Sequence, residues 1–176
     1  MAALRAGVKT IEHGSYLDEE AAELMKESSA ILVPTRFIVE ELLEMEAEVP
    51  AYAYRKITGL ADTHAQALKI AIANGVQVAM GTDIFPSDPI HGFRYALASR
   101  EIRHLTEAGL TPLQAIEAAT ATGPMTLGPQ APRSGRLQEG FDADLIALDR
   151  SPLEANSIWG DPDRVTHVWK GGRQVK

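Results

Sequence analysis

The sequence predicts an α/β fold built on a parallel sheet, and three observations predict it. Short apolar runs at residues 8–12, 30–33 and 76–80 each stop at a polar or glycine punctuation. Helix-compatible segments follow each of them. The order strand, helix, strand, helix, strand, helix is the pattern of strands joined by crossover helices.

The first run ends at His13-Gly14. Asp18 is placed to cap the next helix, with Glu19 and Glu20 at its positive end, and that helix extends to about residue 26. The second run, 30–33, is stopped by Pro34-Thr35. Residues 36–54 read as a helix followed by a loop, and the acidic run from Glu40 to Glu48 reads as a solvated helix face. From Ile57 the apolar positions 57, 60, 61, 65, 68 and 72 fit one helical stripe that Asn74-Gly75 terminates. Residues 76–80 form the third strand, and 82–92, with two prolines, read as a loop. Tyr95, Ala98, Ile102 and Leu105 mark a further helix. Thr111-Pro112-Leu113-Gln114 is a capping box with proline at the first helical position.

Near residue 130 the composition changes. Residues 136–137, 143–148 and 165–169 read as strands separated by Gly, Pro and Asp. The organisation predicted is one unit at 1–130 and a second at 131–176. Three strand–helix units are too few to close an eight-stranded barrel, which takes about 250 residues. The sheet is therefore either open or part of a barrel.

Composition excludes several classes of function. The chain has 176 residues and a formal net charge of -7, with its Lys and Arg scattered, so no basic stripe marks a nucleic-acid partner. It contains no cysteine, which removes disulfides and thiolate metal sites. No apolar run approaches the roughly 18 residues needed to cross a bilayer. The first residues lack a signal pattern, and the location expected is cytoplasmic.

Two spots carry candidate chemistry. Ile11-Glu12-His13-Gly14 and Met80-Gly81-Thr82-Asp83 each sit just past a strand, on the sheet edge where α/β folds build their sites. A histidine and an aspartate from different strands can converge on one metal, and zinc accepts both donor types. An aspartate beside a metal can also move a proton. His13 as a hydrogen-bonded structural residue and Asp83 as a turn cap are the plainer alternatives. His64 reads as structural, His104 as solvated between Glu101 and Glu107, His167 as a residue of a C-terminal strand far from the candidate site, and Trp159 and Trp169 as packing residues of the small sheet.

Taken in order, IEHG, VPT and GTD at three strand ends, then EAGLTPLQAIEAATATGPMTLG, SGRLQEGFDADLIALDRSPLE and DPDRVTHVWKGGRQV, resemble the C-terminal part of metal-dependent amidohydrolases. The kind resembled is Xaa-Pro dipeptidase-like and imidazolonepropionase-related. The resemblance implies the last three strand–helix units of a (β/α)8 TIM barrel, with the C-terminal strands of a small β-sandwich. It implies hydrolysis of an amide C–N bond, in a dipeptide or N-acyl amino acid, by metal-activated water. His13 matches a metal ligand of a binuclear zinc site, and Asp83 matches the residue that binds metal and shuttles the proton. His91 and Gly92 match a loop that lines the substrate pocket.

The family's strand-one His-x-His pair, its strand-four lysine and its strand-five histidine have no counterpart here. The chain is accordingly expected to be truncated, inactive by itself, and to form a homo-oligomer through an exposed sheet edge. Two other readings compete. Heterocycle deamination needs an acid a few residues past His13, whereas Glu12 precedes it and Asp18 and Glu19 are distant. A non-catalytic binding or assembly module would retain only the fold.

Overall fold

The computed structural model describes residues 1–84, 95–154 and 156–176. Helix α1 is Ala2–Arg5, strand β1 is Thr10–Glu12, helix α2 is Glu19–Glu27 and strand β2 is Ile31–Val33. Helices α3 (Arg36–Glu44) and α4 (Ala51–Ala73) follow, then strand β3 (Gln77–Val78), α5 (Arg100–Glu107) and α6 (Pro112–Ala119). The strands lie in the order β1-β2-β3, and both pairs are parallel. In register, Glu12 faces Val33 and Leu32 faces Val78. All three residues of β2 are buried, as expected of a central parallel strand covered on both faces. The predicted alternation is thus present, with strands shorter than their apolar runs.

Local chemistry explains two helix starts, those of α2 and α6. The Asp18 carboxylate accepts the Ala21 N–H at 2.9 Å, and Ala22 and Met25 form the buried stripe of α2. Thr111 and Gln114 make the reciprocal capping box of α6. Helix α4 departs from expectation. It begins at Ala51, directly after Pro50, so the expected loop is helical. Its buried face runs along Ala61, His64, Ala67, Leu68 and Ala71, rotated from the stripe of larger apolar residues. Small side chains on that line let the helix come close to its neighbours. His64, 1% exposed, is the structural residue expected.

Three other expectations need correction. His104 is buried, 8% exposed, because α5 packs that side against the interior, and its Nδ1 lies 3.4 Å from Glu107. The acidic run is only partly a solvated face. Glu40 pairs with Arg36, and Glu41 accepts from Arg100 at 2.7 Å, whereas Glu44, Glu46 and Glu48 are exposed. Residues 136–137 form no strand, and Leu137 is 87% exposed.

The main core joins Leu4, Leu17, Met25, Leu32, Leu68, Val78, Ile102 and Leu105 on one face of the parallel sheet, and Ile31, Val33 and Ala79 form a separate buried cluster on the other. A second, antiparallel sheet has the order β4-β5-β6, with β4 Leu145–Leu148, β5 Val165–Lys170 and β6 Arg173–Gln174. His167 stacks on Trp169 with ring centroids 5.5 Å apart. A groove of about 710 Å³ runs past Leu137, Leu145, Ile146 and Trp169. Among the described residues, no helix is long and apolar enough to cross a membrane.

Candidate active site

Past the end of each strand of the parallel sheet, within one to five residues, one residue is bent into left-handed backbone. His13 has φ 63°, Thr35 φ 53° and Asp83 φ 53°. For residues other than glycine this region is sparsely occupied, most sparsely of all by a β-branched side chain. Such strain persists only where surrounding contacts hold it, and it concentrates at functional sites. All three residues lie at the same edge of the sheet.

The contacts that hold them are visible. The His13 N–H donates to the Val33 carbonyl at 2.8 Å, continuing the β1–β2 ladder one residue past the strand. The Ala79 N–H does the same with Leu32 at 2.9 Å. Beyond it, Gly81 crosses so near β2 that a Cβ there would stand 2.4 Å from Val33 Cγ1. A larger residue at 81 would push the chain, and Asp83 with it, away from His13.

The side chains then meet. His13 Nδ1 is 2.6 Å from Thr35 Oγ1, and His13 Nε2 is 4.0 Å from Asp83 Oδ2. His13 and Asp83 are about half exposed, with side-chain accessibilities of 49% and 58%. Two metal–ligand bonds of about 2.0–2.2 Å span at most about 4.4 Å, so one zinc ion can touch both atoms. The donor set, imidazole nitrogen and carboxylate oxygen, suits that metal. Among the described residues no group of three or more His, Cys, Asp or Glu stands together to hold a metal ion. His91 and Gly92, the predicted pocket residues, lie outside the described residues.

Beneath this edge is a buried polar layer. His64 Nε2 donates to the Pro34 carbonyl at 2.9 Å, and its Nδ1 faces the Arg36 guanidinium at 3.3 Å. Burial, followed by the Arg36 charge, holds the imidazole below its ordinary value. Arg36 also donates to the Ala61 carbonyl at 2.7 Å. Glu101, 0% exposed, accepts the backbone N–H groups of Arg36 and Phe37. Thr35 is the residue before α3 but makes no side-chain cap, so the carboxylate of α5 caps α3 in its place. Burial pushes the Glu101 carboxyl up to about 7, against the two N–H donors and the Arg36 charge.

Thr35 and Glu101 were missed by sequence reasoning. Thr35 could have been found, since it occupies at β2 the place that His13 and Asp83 occupy at β1 and β3. Glu101 sits 64 residues from Phe37, and its role depends on a contact that no local pattern encodes.

Known proteins resemble this chain along nearly its whole length. The pattern of the amidohydrolase family matches residues 1–175. The chain is 45% identical over 178 residues to the ochratoxinase of Aspergillus niger, in an alignment covering 100% of this chain and 35% of that protein. It therefore spans about a third of that relative's length. The crystal structure of A. niger ochratoxinase superposes with a TM-score of 0.86, covering 100% of this chain and 39% of that one. A prolidase complexed with N-methylphosphonate-L-proline is 33% identical, with a TM-score of 0.85 and coverage of 99% and 41%. A Xaa-Pro dipeptidase with methionine bound in its active site is 28% identical, with a TM-score of 0.83 and coverage of 99% and 41%. The match along nearly the whole length shows that the chain belongs to the amidohydrolase family.

Proposed function

We propose that the protein hydrolyses an amide C–N bond in a small molecule, a dipeptide or an N-acyl amino acid, at a zinc site to which His13 and Asp83 contribute. The observation that carries this reading is the approach of His13 Nε2 to Asp83 Oδ2, at 4.0 Å, from two strand ends of an amidohydrolase-family chain. The ligands named for two similar structures, a proline phosphonate and methionine, support a substrate built on an amino acid. When bound, zinc would polarise the amide carbonyl and acidify water. His13 would hold it through Nε2. Asp83 would hold it through its carboxylate, accept the proton of the attacking water and hand it to the leaving nitrogen. Its half-exposed position leaves the oxygens open to water and substrate.

In this reading residues 1–130 supply the last three strand–helix units of a TIM barrel. Residues 131–176 supply part of a composite sandwich, and His91-Gly92 lines the substrate pocket. A zinc site takes three or four ligands, so the others lie outside the described residues or come from a second copy paired along the sheet edge.

The test is zinc binding by calorimetry, with amine release from Xaa-Pro dipeptides and N-acyl amino acids. Asp83→Asn is expected to lower hydrolysis by about 10²–10⁴-fold, the usual worth of a positioned proton carrier. His13→Ala is expected to weaken zinc binding. Zinc binding unchanged in both variants would sink the proposal. Sedimentation of the same sample reports the pairing, and a monodisperse monomer would count against it.

A further inference from the structure

Thr35 touches His13 but has no part in the reading above. Its hydroxyl oxygen stands 2.6 Å from His13 Nδ1 and 2.7 Å from the Pro34 carbonyl oxygen. A carbonyl can only accept, and a hydroxyl has one proton. If that proton pointed to His13, two oxygens would face each other at 2.7 Å with no hydrogen between them, in a place where Thr35 is only 4% exposed. The arrangement that satisfies both contacts sends the threonine proton to Pro34 and leaves Oγ1 free to accept. Nδ1 of His13 must then carry the proton, and the lone pair lies on Nε2, the atom that faces Asp83.

We propose that Thr35 is a positioning residue that fixes the tautomer and ring orientation of His13. This rests on the assignment of His13 as a zinc ligand for its purpose, though not for its geometry. The direction of the relay is enforced from below. The Pro34 carbonyl receives the Thr35 hydroxyl and His64 Nε2–H together, using both lone pairs. Pro34 and His64 are both among the fully buried side chains, so water does not compete. His64 presents its other nitrogen to a guanidinium N–H, which fixes its own tautomer as the donor to Pro34. The left-handed backbone of Thr35 carries the hydroxyl to this spot, and the Glu101 carboxylate anchors the two residues after it. The relay thus reads His13 Nδ1–H to Thr35 Oγ1, Thr35 O–H to Pro34 O, and His64 Nε2–H to the same oxygen.

The test is long-range ¹H–¹⁵N correlation on the metal-free full chain, at a pH where its histidines are neutral. The expected result is His13 protonated on Nδ1. Thr35→Val, which keeps the branched shape and removes the hydroxyl, is expected to release His13 to the mixed tautomers of free imidazole. Thr35→Ser is expected to restore the Nδ1–H form. Zinc affinity, read by calorimetry, is expected to fall about 10- to 100-fold in Thr35→Val and to recover in Thr35→Ser. A wild-type His13 protonated on Nε2 overturns the proposal, as does an unchanged tautomer in Thr35→Val. If Thr35→Val does not fold, wild type and Thr35→Ser still decide the matter through the His13 tautomer. A chain with the Nδ1–H tautomer that binds no zinc defeats the proposed function but not the positioning. Zinc binding that is equal in wild type and Thr35→Val, with one tautomer in both, defeats the positioning but not the function.

Discussion

Glu101→Gln is expected to invert part of the protein's pH response. The wild-type carboxyl rises from its ordinary 4.5 to about 7 because it is fully buried. A raised carboxyl binds a proton in the folded state where the unfolded chain has released it. Its contribution is therefore complete below about 4.5 and is lost as pH climbs toward about 7. Across that window the loss integrates to roughly 3 kcal/mol. His64 and His104 act in the opposite sense. Burial lowers both, so their contribution is complete above 6.5 and is lost as pH falls below it. Subtracting the Glu101→Gln stability curve from that of wild type cancels the histidines. The expected difference is a decline of wild type relative to the variant between pH 4.5 and 7, read by urea denaturation. A flat difference would show that Glu101 titrates normally. Glu101→Leu removes both acceptors and is expected to cost about 3 kcal/mol, since two N–H groups of α3 lose their partner.

Phe37→Ala is expected to cost about 3–5 kcal/mol, the range for emptying a buried aromatic site. Phe37 is 0% exposed and heads the largest fully buried side chains. It lies on α3, which packs against both α4 and α5, and its N–H is one of the two donors that Glu101 receives. The two substitutions act on adjoining parts of α3, one on a buried side chain and one on the cap of the same residue's N–H, and should not add. A double-mutant cycle is expected to show a coupling of about 0.5–3 kcal/mol. Because Thr35 immediately precedes this turn, loosening it should also free the hydroxyl that His13 uses. Additivity within about 0.5 kcal/mol would separate ring and cap.

The legible parts of this protein were those written in neighbouring residues. Asp18 before Glu19-Glu20 and Thr111 before Pro112 announce helices because a cap needs only the next turn. His13 and Asp83 are readable as neighbours because each follows an apolar run and sits by glycine, which puts both at one sheet edge. What stayed hidden lies across the fold. His104 looked solvated because its nearest sequence neighbours are acidic. The packing of α5, which buries it, comes from distant chain. Residues 136–137 looked like a strand by residue type, but a strand also needs a partner in register, and residue type does not supply one. Glu101 looked like one more surface acid for the same reason. The approach of its carboxylate to Arg36 and Phe37 depends on how two helices cross.

The left-handed Thr35 sets two demands against each other. Glycine adopts that backbone at little cost, whereas a β-branched residue resists it. Stability alone thus favours losing the side chain, and the hydroxyl contact with His13 favours keeping it. A library randomised at this position should divide according to how it is sorted. Survivors of heating should be enriched in Thr35→Gly, and survivors of a zinc-retention screen should keep threonine or serine. Improving this protein's heat tolerance by selection alone would therefore tend to erode the placement of its histidine.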